Sequence, residues 1–126
     1  MITGLGIDVV EIERIRDSLG RFGDTFVRRI LTDGEEQEMK RLKRGRAAFL
    51  ASRWAAKEAA VKALGTGFSG GIGFHDLEID TQPSGEPRLL LHGKAAEQAE
   101  KRGTRNMMVS ISHERSVAVA VVAMES

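Results

Sequence analysis

Three charged side chains, Asp8, Glu58 and Lys62, could together handle a phosphate group. Mg²⁺ is a hard cation that takes oxygen ligands, usually one or two carboxylates completed by substrate phosphate oxygens. Asp8 and Glu58 could supply that pair. Lys62 follows Glu58 by four residues, which makes the two neighbours on one side of a helix. It can donate to a phosphate or serve as an acid. Each residue also has a plainer reading. Asp8 and Glu11 have capping-box-like spacing for a helix start, and Glu58 could simply pair with Lys62 or Arg53. The residue types alone leave both readings open.

Other candidates carry weaker signals. Lys57 falls within an apolar helical stripe, where a lysine either snorkels to the edge or stays buried, meeting a phosphate or titrating abnormally. His113 ends the run Ser110-Ile111-Ser112-His113 at a turn. His75 and His92 make no zinc-like spacing with it, and no nucleophile-elbow pattern surrounds either serine. The glycine-rich segment 65–73 follows a helix and lacks GxxxxGK[ST], so it is not a P-loop. Lys40, Arg41, Lys43, Arg44 and Arg46 concentrate positive charge. They read either as a solvated helix end or as a patch for a phosphate or carboxylate.

Positioning these side chains requires particular elements. Residues 2–10 read as a strand with Gly4, Gly6 and Asp8 on one face and Leu5, Ile7 and Val9 on the other. The glycine face is expected to leave open space into which Asp8 points. Residues 11–22 read as an amphipathic helix burying Ile12, Ile15, Leu19 and Phe22 and projecting Arg14 and Arg21 from its other side. Asp24 or Thr25 could cap a short helix through Leu31. Thr32 and Glu35 have capping-box spacing for a third helix carrying the basic run. Residues 46–64 are apolar nearly all round, which predicts a buried helix. Strands are expected over 74–81, 88–92, 106–112 and 116–124, the last two joined by the turn at 113–116, and a helix over 94–102. The expected fold is α+β, one small domain over residues 1–126, with a largely antiparallel sheet packed on a buried central helix.

Composition narrows the function classes. The chain has 126 residues, no cysteine, 19 basic and 18 acidic side chains, and a net charge of +1. Disulfides and thiolate metal sites are excluded. The near-balance argues against nucleic-acid binding. No apolar run approaches the roughly 20 residues of a membrane span, and no secretory leader is apparent. The expectation is a cytoplasmic protein with neither nucleic-acid nor membrane partners.

Taken together, Gly6-Ile7-Asp8, the stretch Arg53-Trp54-Ala55-Ala56-Lys57-Glu58-Ala59-Ala60-Val61-Lys62-Ala63, and Ser110-Ile111-Ser112-His113 resemble the short class of 4′-phosphopantetheinyl transferases, the holo-[acyl-carrier-protein] synthases. The resemblance covers nearly the whole chain, and the WxxKEAxxK pattern is its most specific element. It implies the following roles. Asp8 and Glu58 hold Mg²⁺ against the diphosphate of coenzyme A, and Lys62 stabilises or protonates the departing 3′,5′-ADP. Lys57, Gly65 and His113 line the coenzyme A site. The acceptor is a serine of an acidic apo acyl carrier protein, which docks on the first helix through Arg14 and Arg21, in support of fatty acid biosynthesis. The assembly is a homotrimer with sites between subunits. The serine proton can go to Glu58 or to a water on the cation. Two rivals stand beside this reading: a non-catalytic binding module with the basic run as its docking surface, and a different Mg²⁺-dependent phosphotransferase.

Overall fold

The alternation of small and apolar residues near the N-terminus forms a long strand, β1 (Ile2–Glu11), in a computed structural model that describes all residues 1–126. Four helices follow: α1 (Ile12–Phe22), α2 (Asp24–Ile30), α3 (Asp33–Lys40) and α4 (Arg46–Leu64). A glycine-rich loop leads to the hairpin β2 (Leu77–Thr81) and β3 (Pro87–Leu91). Helix α5 (Gly93–Lys101) and the hairpin β4 (Asn106–His113) and β5 (Val117–Glu125) complete the chain order. All strand pairings are antiparallel. The first sheet has the order β1-β5-β4, and β2-β3 form a second. The fold is α+β, and α4 is its central helix.

Helix α4 sits between two parts of the core. Ala56, Ala59, Ala60 and Ala63 pack with Ala120, Val122 and Met124 of β5, while Leu50 and Ala51 pack with Ile12, Ile15, Val27 and Ile30 of α1 and α2. Small side chains let backbones approach, and the glycine face of β1 uses that fully. A Cβ on Gly6 would lie 1.9 Å from the carbonyl oxygen of Ala59, and one on Gly4 would lie 1.9 Å from that of Ala63. The open space expected beside these glycines is therefore filled by the backbone of α4. Glycine in a strand often marks such an approach.

Several local expectations hold in detail. Thr32 and Glu35 form a reciprocal capping box: the Glu35 amide donates to Thr32 Oγ1 at 3.3 Å, and the Thr32 amide donates to Glu35 Oε1 at 2.8 Å. Others need correction. Phe22 is exposed rather than buried, with the Arg21 guanidinium 5.5 Å from its ring centre. Neither Asp24 nor Thr25 caps α2, because Gly23 occupies that position. The basic run is not one helical face: α3 ends at Lys40, and Arg41, Lys43 and Arg44 lie in the loop before α4. Residues 74–76 form a 3₁₀ turn, because Asp76 receives the Gly73 amide at 3.0 Å and bends the chain before β2 begins.

The outer face of the first sheet has no covering layer. Leu5, Ile7 and Val9 are 67%, 59% and 59% exposed, and Met108 and Val121 continue the apolar surface across β4 and β5. Contiguous exposed apolar surface of this kind marks an interaction face. No helix is long and apolar enough to cross a membrane.

Candidate active site

The close approach of β1 to α4 brings Asp8 to the helix that carries Glu58 and Lys62. Asp8 follows Gly4 and Gly6 on the helix-facing side of the strand, paired in register with Ala120. Lys62 Nζ donates to Asp8 Oδ1 at 3.0 Å and to the Ile7 carbonyl at 2.9 Å. Asp8 is therefore not a helix cap; the cap position of α1 is Glu11, which makes no side-chain capping bond.

Glu58 differs from both plainer expectations. It pairs with neither Lys62, which is on Asp8, nor Arg53, which is on Glu38 at 2.9 Å. Its carboxyl has no hydrogen-bonding partner. Burial raises its proton affinity above that of an ordinary glutamate, and the adjacent Asp8 charge raises it further against a smaller opposing pull from Lys62. Two neighbouring acids, one without a hydrogen-bonding partner, are oxygen donors that could hold a hard cation. No group of three or more potential metal ligands gathers there.

Both acids line an open groove of about 510 Å³ whose other walls include Arg14 and Ile15 of α1, Phe26 of α2 and Trp54 of α4. Trp54 stacks obliquely between Phe26 and Phe74, with ring centres at 6.0 and 5.0 Å. Arg14 thus belongs to the same groove as Asp8 and Glu58. Arg21, two turns further along α1, is not among the groove residues.

Three expected ligand contacts lie elsewhere within the chain. Lys57 is wholly buried, and its ammonium donates to the Ile30 carbonyl at 2.6 Å, Glu35 Oε1 at 2.7 Å and the Phe74 carbonyl at 3.2 Å. All three protons are committed, so Lys57 has none for a ligand. It is an internal strut joining α4 to α2, α3 and the end of the glycine loop. Gly65 terminates α4 with φ of +81°, and a Cβ there would meet the Arg102 guanidinium at 2.6 Å. His113 lies at the end of β4, with β5 between it and β1. It faces a second groove with Arg44, Arg53 and Phe49.

Two functional-looking residues escaped the sequence reading. Glu35 appeared only as a helix cap, yet it also accepts the Ile79 amide at 2.7 Å and neutralises Lys57. Arg53 appeared only as a possible partner of Glu58. Its guanidinium lies 4.2 Å from the Phe49 ring centre, and its Nε is buried without a partner. Its position immediately before the WxxKEAxxK pattern was the available signal.

Comparison with known proteins bears on this arrangement. Residues 4–122 match the sequence model of the 4′-phosphopantetheinyl transferase superfamily. The chain is 55% identical over 126 residues to a holo-[acyl-carrier-protein] synthase of Nitratidesulfovibrio vulgaris (strain Hildenborough), covering 100% of both chains. Among solved structures it is similar to holo-[acyl-carrier-protein] synthase from Neisseria meningitidis, with TM-score 0.90, 35% identity and 100% of both chains covered. It is also similar to the Bacillus anthracis (strain Ames) protein in complex with coenzyme A (3′,5′-ADP). That match has TM-score 0.83, 39% identity, and covers 100% of this chain and 98% of the other.

Proposed function

The chain belongs to the holo-[acyl-carrier-protein] synthases of the 4′-phosphopantetheinyl transferase superfamily, and from this we propose that the groove of Asp8, Glu58 and Arg14, with Lys62 bonded to Asp8, moves the phosphopantetheine arm of coenzyme A onto a serine of an apo acyl carrier protein. The observation that carries the proposal is the unpartnered Glu58 beside Asp8, with the Lys62 ammonium bonded to Asp8. In the reaction the serine oxygen forms a bond to the pantetheine-side phosphorus. The bond from that phosphorus to the bridging oxygen of the diphosphate breaks, and 3′,5′-ADP leaves.

Such transfer is mainly positioning and neutralisation of charge on phosphate oxygens. Asp8 and Glu58 are the residues that would hold Mg²⁺, which when bound neutralises the diphosphate and favours departure of the leaving group. Lys62 adds a positive charge where the leaving phosphate becomes more anionic. Glu58 is a carboxylate without a partner, able to receive the proton of the serine hydroxyl. Ile15, Phe26 and Trp54 give the groove an apolar wall that limits water.

The test is direct. The chain, coenzyme A, Mg²⁺ and apo carrier protein are mixed, and the carrier is weighed. A gain in mass equal to the arm is expected, falling by at least about 10²-fold in initial rate for Asp8→Ala and Glu58→Ala with the fold intact. A wild-type carrier of unchanged mass would sink the reading. Mass transfer from ATP in the same assay would point to a different phosphotransferase.

Arg14 serves the carrier rather than coenzyme A, because it stands at the α1 side of the groove and is exposed to an approaching acidic helix. Arg21, further along α1, extends the same positive surface. Charges at such a rim mainly steer encounter and set salt dependence. Arg14→Glu is expected to raise KM for the carrier about tenfold or more, leave KM for coenzyme A within about twofold, and flatten the salt response. Equal changes in both KM values would remove Arg14 from docking.

The working form is a homotrimer with sites between subunits. Two observations support it: the uncovered apolar face of Leu5, Ile7, Val9, Met108 and Val121, and the placement of His113, Arg44 and Arg53 on a groove separate from Asp8 and Glu58. A second copy would join the two half-sites, and coenzyme A would then span them. A monomer mass in sedimentation equilibrium at micromolar concentration would refute this. In the cell the role is cytoplasmic supply of holo carrier protein for fatty acid biosynthesis, so depletion of the chain should leave apo carrier to accumulate.

A further inference from the structure

Asp8 has a counter-cation within its own chain, and it is Lys62. Two of the three ammonium protons are spent on β1, on Asp8 Oδ1 at 3.0 Å and on the Ile7 carbonyl at 2.9 Å. The partners are unequal. The Asp8 side chain is 16% exposed and held on a strand, whereas the Lys62 side chain is 51% exposed on a flexible stem. Lysine is a point charge with rotatable donors, so Lys62 is the partner able to leave. Glu58 has no such partner. The other charged groups facing this groove are Arg14 and Glu11, and neither is within bonding distance of Asp8.

Lys62 holds one of the two Asp8 carboxylate oxygens, Oδ1, and a divalent cation shared by Asp8 and Glu58 would bind the same carboxylate. It would also set a double positive charge beside the ammonium. The two cations therefore compete at Asp8 through charge repulsion. We propose that Lys62 is a built-in competitor for the cation site, occupying Asp8 until a diphosphate offers its ammonium a better acceptor. This rests on the reading of Asp8 and Glu58 as a cation site. It adds that cation and coenzyme A bind cooperatively, because the diphosphate removes Lys62 from Asp8 at the moment the cation needs it. By linkage, each ligand then strengthens the other by the same factor.

Mn²⁺ is the probe, titrated against the whole protein while the free-ion paramagnetic resonance signal is followed. Wild type and Lys62→Met are compared, each with and without coenzyme A. Without coenzyme A, Lys62→Met is expected to bind Mn²⁺ about five- to tenfold more tightly than wild type, the low end of usual site-to-site coupling. With coenzyme A present, that advantage should vanish or reverse, and the gain in Mn²⁺ affinity caused by coenzyme A should be larger in wild type. If wild type binds Mn²⁺ and Lys62→Met binds it equally or more weakly in the absence of coenzyme A, the competition is refuted while the cation site stands. If neither protein binds Mn²⁺ even with coenzyme A, the cation site itself is refuted, and the competition with it. Melting temperatures within a few degrees of each other keep a folding defect from imitating either result.

Discussion

Gly6→Ala is expected to lose at least about 3 kcal/mol of folding stability, at or beyond the upper end of ordinary overpacking effects. The added methyl carbon would sit 1.9 Å from a backbone oxygen of α4, and a backbone atom cannot swing aside as a side-chain tip can. Either β1 or α4 must retreat as a unit. Transfer activity is expected to fall further than the folded fraction explains, because the retreat separates Asp8 from Glu58 and Lys62. The control is Gly20→Ala, on α1, where a Cβ meets nothing within 4 Å. There the same chemical change should be neutral or stabilising by up to about 1 kcal/mol, since alanine is the better helix former. Urea unfolding of the two variants beside wild type decides the matter. Comparable midpoints for Gly6→Ala and wild type would mean that β1 and α4 are not in the contact described.

Lys57→Ala is expected to destabilise the chain by about 3–5 kcal/mol, the usual penalty for removing one partner of a buried ion pair. Glu35 would be left charged in the core, and the carbonyls of Ile30 and Phe74 would lose their donor. Whatever fraction folds should retain an ordinary KM for coenzyme A, because Lys57 has no face toward solvent. A stable variant with a raised KM for coenzyme A would return Lys57 to the ligand site that the family resemblance implied. Thermal unfolding, followed by steady-state kinetics on the same preparations, separates the two outcomes.

The contrast between these residues explains what the sequence could disclose. The span of α4, the Thr32–Glu35 box and the turn after His113 are written in near neighbours, through apolar spacing, capping chemistry and turn residues. They were legible residue by residue. The strut and the Asp8–Lys62 pair join positions 22 and 54 residues apart. Their geometry depends on which face of β1 meets which face of α4, and periodicity does not encode that. A glycine stripe is the sharpest case. It means free volume if nothing lies opposite and direct backbone contact if a helix does, and only topology distinguishes them. Lys57 and Lys62 show the same limit. The motif that contains both gives no sign that one ammonium faces inward and the other reaches Asp8.

The pairing of β1 carries a consequence for how the chain is made. Its only strand partner is β5, with Ile2 opposite Glu125 and Glu11 opposite Val117. On the ribosome, β1 emerges early and must wait for nearly all of residues 1–125 before its partner exists. Meanwhile Leu5, Ile7 and Val9 stand exposed on a strand with two open edges, the kind of segment that pairs wrongly with other chains. Helices α1 to α4 can form and pack locally in that interval. The site at Asp8 cannot be completed by them, because β5 holds β1 in register. A nascent chain halted before residue 117 should therefore be partly helical and incapable of transfer, and the emergence of β5 from the exit tunnel switches the enzyme on.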